Sequence, residues 1–176
     1  MNDTFLPGNG FDTYEEQDRV LMGLSGSVRS GVAVRILQQQ GFAVAAAVVR
    51  LADTPEEHAA AEAAKALAKK LDVECLALNA EALAGQDAEA ARFAALLTAA
   101  DKLGIQYIAT GHHARVELGS DGVHAVCPAV DAALDESAAL AALPQDTLAR
   151  LLLPLGEFTA ADVQEMAQDF KVNGTV

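Results

Sequence analysis

The chain has 176 residues, of which 52% are hydrophobic and 21% are charged. This composition excludes an intrinsically disordered chain and is sufficient for the core of one domain. Twelve basic residues stand against 25 acidic ones, and the formal net charge is −13. Because so acidic a surface repels phosphate backbones and anionic lipids, the charge argues against nucleic acid and membranes as partners.

The cysteines and the N-terminal residues indicate the cellular compartment in which the protein is expected. Cys75 and Cys127 are the only cysteines, and their wide separation fits no structural metal site. The first eighteen residues hold five acids and no Lys or Arg, unlike a signal peptide. No run of about 20 apolar residues could span a bilayer. We therefore expect a cytoplasmic protein with two free thiols.

Strands and helices are predicted to alternate along the first two thirds of the chain. Short apolar runs bounded by polar or turn residues predict buried strands at 19–25, 43–50, 75–78 and 107–111. Helical spacing, N-caps such as Thr54 and stop signals at Gly41 and Gly104 predict helices at 28–40, 54–71 and 87–103. The second helix is expected to face inward with Ala60, Ala64, Leu67 and Leu71. This alternation predicts a parallel α/β sheet covered by helices on both faces.

The alternation becomes less regular after Gly111. One or two short strands are expected within 114–130, around a turn at 119–122. Helices are predicted at 132–142, 145–152 and 159–170. We divide the chain into an N-terminal arm (1–18), a nucleotide-binding α/β domain (19–130) and a helical extension of the same domain (131–176).

The loop between the first strand and the first helix carries the main chemical signal. It consists of Ser25, Gly26, Ser27, Val28, Arg29 and Ser30. Small residues let backbone N–H groups approach a phosphate, and the helix N-terminus adds partial positive charge. The loop is neither a Walker A motif nor G-x-G-x-x-G, and the alternative is an ordinary strand-to-helix turn.

With Gly23 and Leu24, this loop resembles the SGGxDS loop of the PP-loop enzymes, above all that of the bacterial tRNA-specific 2-thiouridylases. Three further blocks follow in the same order as in that family. They are ILQQQGF at 36–42, IATGHHAR at 108–115, which matches ATGHYAR, and LPLGE at 153–157, which matches FPLGE. The likeness extends over roughly residues 19–170.

The resemblance implies a Rossmann-like, doubly wound parallel sheet of five strands, of the adenine nucleotide α-hydrolase type. In the family the loop binds ATP phosphates, the position of Val49 meets the adenine through its backbone, and the glycine at Gly111 lies against the nucleotide. The expected cofactor-binding residues are therefore Gly23, Leu24, Ser25, Gly26, Ser27, Val28, Arg29, Ser30, Val49 and Gly111. The family adenylates the wobble uridine, and a cysteine persulfide then delivers sulfur.

Several chemical groups of the family are absent. Arg29 replaces the loop aspartate that helps to hold Mg²⁺, and a guanidinium cannot ligate a cation. The NPCxxCN segment is missing, and Cys75 and Cys127 match neither working cysteine, so we predict no catalytic residue and no metal site. The tRNA-contacting KDQSYFL segment reads LDESAAL at 134–140. From 116 to 176 there are two basic and ten acidic residues, so tRNA binding is not expected.

Three functions remain open at this point. The first, which we favour, is a degenerate paralogue that keeps a pocket for an adenine nucleotide or phosphate but does not thiolate tRNA. Its ligand would be ATP or AMP, bound without Mg²⁺. The second is a non-catalytic scaffold whose cleft is closed. The third is one part of a tRNA 2-thiolation enzyme that acts with another chain. An Ala-rich helix face would also permit a homo-oligomer.

Arg29 has two physically distinct roles open to it. It can bind phosphate oxygens directly in place of the metal, because a guanidinium matches phosphate in a bidentate fork. Alternatively it turns onto a nearby carboxylate, such as Asp53 or Asp131, and fills the cleft. His112 and His113, adjacent at a predicted strand end, are expected to point to opposite faces and not to share a metal.

Overall fold

The computed structural model describes residues 18–25, 27–83, 85 and 87–170. Most of the predicted N-terminal arm, the loop residue Gly26 and the last six residues lie outside the described residues. The strands are β1 (Arg19–Gly23), β2 (Ala43–Arg50), β3 (Cys75–Asn79), β4 (Tyr107–Ala109), β5 (Ala114–Leu118), β6 (His124–Pro128) and β7 (Leu151–Leu152). The helices are α1 (Val28–Gln39), α2 (Pro55–Leu71), α3 (Ala88–Leu103), α4 (Ser137–Leu140), α5 (Gln145–Leu148) and α6 (Ala160–Asp169).

Five strands form one sheet in the order β3-β2-β1-β4-β7. Every neighbouring pair in it is parallel, which confirms the predicted five-stranded parallel sheet. The chain winds outward from β1 to β3, and α3 then returns it to β4 on the other side of β1. Between β1 and β4 the strand order therefore reverses, and ligands of such sheets bind at this switch point.

The three long helices begin and end where the sequence signals predict. Ser27, Thr54 and Asp87 each cap a helix N-terminus with a side-chain oxygen that accepts a backbone N–H. Gly41 and Gly104 follow α1 and α3 with φ of 99° and 71°, a conformation that glycine adopts at little cost. These local signals explain why the first half of the fold could be predicted closely.

The sheet is covered on both faces. One face packs against α1, α2 and α6, around residues such as Val20, Met22 and Leu37. The other packs against α3, α4 and α5, around Leu21 and Phe93. The prediction that Ala60 faces inward is wrong, because its neighbour Ala61 takes the buried position. Among the described helices, none is long and apolar enough to cross a membrane.

The region after Gly111 differs most from the prediction. Two strands lie where one or two were expected, and these strands, β5 and β6, pair as an antiparallel hairpin. The helix predicted at 132–142 divides into a 3₁₀ turn at 132–134 and the short α4. The division occurs at Asp135, whose carboxylate accepts the N–H groups of Ala129 and Ser137. Such side-chain bonds to nearby backbone compete with helix formation.

The helix predicted at 145–152 is also wrong over its last residues, because Leu151–Leu152 form the edge strand β7. Leu151 pairs with Ile108 of β4. The preceding Arg150 fixes this register, since its guanidinium donates to the carbonyl oxygens of Gln106 and Ile105 at 2.8 and 3.0 Å. An apolar run of this length suits either state, and the exposed edge of β4 decides it.

Candidate functional site

A cleft with a volume of about 310 Å³ opens at the carboxyl ends of β1 and β4. Of the ten residues expected at a nucleotide site, seven line this cleft: Gly23, Leu24, Ser25, Arg29, Ser30, Val49 and Gly111. Ser27 and Val28 lie beside it but do not line it, and Gly26 is outside the described residues. The fold therefore brings residues from β1, α1, β2 and the loop after β4 to one place.

The serines of the loop shape its path into α1. Ser27 is the N-cap, and its hydroxyl oxygen accepts the N–H of Ser30 at 3.3 Å. The hydroxyl of Ser30 donates to the carbonyl oxygen of Ser27, and the hydroxyls of Ser25 and Ser27 are 2.8 Å apart. The N–H groups of Val28 and Arg29, in the first helical turn, have no intrahelical acceptor by their position. They leave this end of the cleft favourable to an anion.

Two glycines let the backbone of the cleft close tightly. A Cβ on Gly111 would contact the Cα of Ser30 at 3.6 Å, so the loop after β4 runs directly against the start of α1. A Cβ on Gly23 would approach Leu96 of α3 to 3.0 Å, which is tighter than ordinary side-chain contacts. Larger residues at either position would alter the floor of the cleft.

The Arg29 side chain, which lines the cleft, forms an ion pair with Glu136. Its two terminal nitrogens are 3.0 and 3.3 Å from the two carboxylate oxygens, so the pair is bidentate. Glu136 is itself held by the backbone N–H of His113 at 2.8 Å. Burial opposes ionisation, but the His113 N–H and the Arg29 guanidinium hold the pKa of the Glu136 carboxyl below its ordinary value.

The carboxylate that pairs with Arg29 is not one of those expected from the sequence. Asp53 contacts Arg50 and His58 at the end of β2. Asp131 accepts the N–H groups of Ala133 and Ala160. Both side chains are thus engaged elsewhere, as turn and cap residues of their own segments.

His112 lies on the wall of the cleft and connects two other lining residues. Its Nδ1 is 2.7 Å from the hydroxyl of Thr110, and its Nε2 is 2.9 Å from a carboxylate oxygen of Glu89. The ring stacks on Phe93 with centroids 5.9 Å apart. Contact with the His112 ring lowers the pKa of the Glu89 carboxyl, so this side chain is ionised at neutral pH.

His112 and His113 lie in a loop and not on a strand. His113 is only 3% exposed, and its Nδ1 has no hydrogen-bond partner among the described residues. Burial, and after it the nearby charge of Arg29, lowers the pKa of the His113 imidazole. The ring is therefore neutral at pH 7 and serves the packing behind the cleft.

The opposite end of the cleft is more apolar. Val48 and Val49 line it at the end of β2, together with Ala60 on α2. Glu57 closes this end, and its carboxylate accepts the N–H of Leu51 at 2.8 Å. A flat heterocycle would meet aliphatic side chains and strand backbone here, in the manner of small-molecule sites that combine apolar walls with a few polar groups.

The residues present do not suit a magnesium ion or sulfur transfer. Within the described part of the chain, no group of three His, Cys, Asp or Glu side chains could hold a metal. Arg29 occupies the position of the family's loop acid, and its charge repels cations. Neither Cys75 nor Cys127 lines the cleft. Burial raises the pKa of both thiols, which reduces their thiolate fraction and their nucleophilicity.

Glu89 and Arg92, which line the cleft, and Glu136, which binds Arg29, were not among the residues predicted from the sequence. Glu136 had a recognisable signal, because it stands where the KDQSYFL pattern has glutamine. Relative to the family pattern, position 136 gains a carboxylate and position 29 gains a guanidinium. The two changes therefore introduce opposite charges. Glu89 and Arg92 carry no such signal, since charged residues on a helix are usually solvated.

Comparison with known proteins gives relatives over most of the chain. The tRNA-specific 2-thiouridylase MnmA of Carboxydothermus hydrogenoformans is 32% identical over 187 residues, which cover 88% of this chain and 51% of that protein. The MnmA protein of Chlorobaculum tepidum is 33% identical over 178 residues, with 88% and 48% covered. The chain thus spans about half the length of these curated relatives.

Solved structures share the fold at low sequence identity. The U34-tRNA thiolase NcsA from Methanococcus maripaludis superposes with a TM-score of 0.60 at 15% identity, covering 88% of this chain and 56% of that one. A predicted subunit of tRNA methyltransferase from Methanocaldococcus jannaschii gives 0.54 at 16% identity, with 86% and 76% covered. Both agree with the Rossmann-like, doubly wound sheet expected of a PP-loop protein.

A family model described as "tRNA methyl transferase HUP domain" matches residues 87–175, which is half of the chain. Its segment includes the loop after β4, Glu136 and the PLGE block, all of which contribute to the cleft or its surroundings. The chain therefore belongs to the tRNA methyl transferase HUP domain family and is a tRNA 2-thiouridylase-like protein.

Proposed function

We propose that the cleft binds an adenine nucleotide, ATP or AMP, without Mg²⁺, and that the chain does not thiolate tRNA. The observation that carries this proposal is the guanidinium of Arg29 at the phosphate end of an open cleft, where the resemblance implies an acid and a metal ion. A guanidinium offers a phosphate two parallel hydrogen bonds and a full positive charge.

The arrangement of the cleft supports a nucleotide in one orientation. A phosphate would lie between the Arg29 guanidinium and the first turn of α1, whose N–H groups have no intrahelical acceptor by their position. The base then extends toward the apolar end near Val49. This is the orientation that the family resemblance implies for ATP, with the guanidinium in the place of the cation.

We expect no thiolation, because the side chains of the cleft do not supply the group that sulfur transfer needs. Sulfur transfer through a persulfide needs a reactive cysteine near the activated uridine. None of the described residues that line the cleft is a cysteine. Both thiols of the chain also have a raised pKa.

A closed-cleft scaffold is the second candidate, and the Arg29–Glu136 ion pair is the observation that favours it. The guanidinium is engaged with a carboxylate, as that function requires. The cleft nevertheless keeps its volume of about 310 Å³. The side chain of Arg29 is also 44% exposed, so an incoming phosphate can contact it. We therefore favour nucleotide binding.

Isothermal titration calorimetry with AMP and ATP, each in EDTA and in Mg²⁺, tests the proposal. The affinity should not depend on Mg²⁺. Arg29→Ala should weaken binding by about 1.5–3 kcal/mol, the contribution of a hydrogen bond to a charged group. Lys69→Ala, which removes one positive charge from an exposed position on α2, is the matched control and should bind as the wild type does.

Two results would contradict the proposal, the first its nucleotide binding and the second its independence from Mg²⁺. If the wild type binds no adenine nucleotide at millimolar concentration and Arg29→Ala gains binding, the closed-cleft scaffold is correct. A strict requirement for Mg²⁺ would show that a cation site exists despite Arg29. Arg29→Asp, which restores the family residue, should abolish metal-free binding and make any remaining affinity depend on Mg²⁺.

A further inference from the structure

We infer that the cleft selects a nucleotide with a single phosphate group over nucleoside di- and triphosphates. The inference rests on the proposed function and narrows it to one class of ligand. Its basis is the charge pairing inside the cleft, where both described arginines already contact a carboxylate.

Each arginine that lines the described cleft already has an acidic partner. Arg29 is bound at two points by Glu136. Arg92 lies 3.9 Å from one carboxylate oxygen of Glu89, and the imidazole of His112 lies 2.9 Å from the other. A ligand phosphate must therefore compete with a carboxylate for every cation it contacts.

The remaining charge of the cleft is unfavourable to polyanions. Glu57 and Glu89 also line it, and Glu136 is bound to Arg29, so the two lining arginines are accompanied by three acids. The chain as a whole carries −13, and such a field repels anions in proportion to their charge. One phosphate monoester carries about −1.5 to −2 at neutral pH. Each additional phosphoryl group adds negative charge. The described side chains form no cluster that could hold a metal ion to offset this charge.

The volume of the cleft and the hydrogen-bond donors at the start of α1 also suit a ligand with one phosphate group. A volume of about 310 Å³ lies at the lower end of the roughly 300–1,000 Å³ typical of small-molecule sites. In the first turn of α1 the N–H of Ser30 is already bound by the hydroxyl oxygen of Ser27, which leaves the N–H groups of Val28 and Arg29 as the donors of that turn. Beyond that turn, a second phosphate would approach the Glu136 carboxylate that holds Arg29.

Calorimetric titration with adenosine, AMP, ADP and ATP in EDTA tests this selectivity. AMP should bind more tightly than adenosine, because one phosphate reaches the helix terminus and Arg29. ATP should bind about tenfold more weakly than AMP, a difference of about 1.4 kcal/mol. At about 1 M salt the difference between AMP and ATP should shrink, because charge repulsion is screened. This salt titration needs no variant.

Glu136→Gln tests the origin of the selectivity. It releases Arg29 and removes one negative charge, so the affinity for ATP should rise about tenfold and that for AMP by a smaller factor. Glu165→Gln is the matched control, since it makes the same change of charge at an exposed position of α6. It should leave the ratio of the two affinities unchanged.

The outcomes separate the inference from the proposed function. ATP binding as tightly as AMP in EDTA would overturn the selectivity and leave nucleotide binding intact. Equal affinities for AMP and adenosine would show that the phosphate is not recognised and would also overturn the inference. If none of the four ligands binds at millimolar concentration, both the inference and the proposed function are wrong.

Discussion

Gly156 packs directly on the carbonyl group of Ala114, the first residue of β5. A Cβ at position 156 would overlap that carbonyl oxygen and lie 2.8 Å from its carbon. The backbone oxygen of Gly156 also accepts the N–H of Val130, just beyond β6. The segment after β7 is therefore joined to both strands of the hairpin through one residue that has no side chain.

Gly156→Ala should consequently destabilise the fold. The obstacle is backbone and cannot rotate away, so we expect the free energy of unfolding to fall by about 3 kcal/mol, near the upper range of overpacking effects. Urea denaturation followed by circular dichroism measures the change. Gly85→Ala is the control, because no described atom lies within 4 Å of its Cβ. Equal stabilities of the two variants would contradict the close contact.

Stability should decrease when the pH is lowered through the range in which histidine titrates. The pKa of the buried His113 lies below its ordinary value of 6.5, so the unfolded chain binds a proton before the folded chain does. The contribution of His113 is therefore complete above pH 6.5 and is lost as the pH falls toward the folded-state pKa. Denaturation curves at pH 8, 7, 6 and 5.5 would detect this trend.

His113→Gln provides the comparison for that pH series. The variant should be less stable at pH 8, because the buried position is repacked. Its stability should nevertheless change less between pH 7 and 5.5 than that of the wild type. A pH dependence that is the same in both proteins would assign the titration to another group.

Binding of tRNA should be very weak. The region from 116 to 176 has two basic and ten acidic residues, and affinity for a phosphate backbone depends on Lys and Arg contacts. We expect no dissociation constant below about 10⁻⁴ M at physiological salt. Fluorescence anisotropy with labelled tRNA measures it, with the Carboxydothermus hydrogenoformans relative as the positive control. Micromolar affinity would contradict this prediction.

The purified protein should not perform the thiolation reaction. Incubated with ATP, Mg²⁺, tRNA and a sulfur donor, it should form no 2-thiouridine and release no pyrophosphate above background. The reason is that the described cleft lacks a cysteine and that Arg29 replaces the loop acid. Mass spectrometry of digested tRNA and a pyrophosphate assay test both steps.

A variant without cysteines tests whether either thiol contributes to any activity detected in that assay. Cys75→Ser combined with Cys127→Ser should give the same result as the wild type. Strong pyrophosphate release by both proteins would indicate an ATP-dependent enzyme with a different acceptor. Loss of activity only in the double variant would assign a role to a thiol that we consider inactive.

The sequence alone determined the features that depend on neighbouring residues. The alternation of apolar runs and helical spacing predicted the first four sheet strands and the three long helices. Ser25, Arg29 and Ser30 of the predicted anion-binding turn line the cleft at the switch point. Caps such as Thr54 and stops such as Gly104 act within one helical turn, so their signals are readable without a tertiary structure.

Only the tertiary structure decided features whose partners are distant in the chain. Arg29 and Glu136 are 107 residues apart, and the sequence could not distinguish Glu136 from Asp53 or Asp131 as the partner. Leu151–Leu152 became a strand because β4 offered an unpaired edge. The direction of a long side chain and the state of a short apolar segment depend on what packs against them, and local propensity is too weak to specify either.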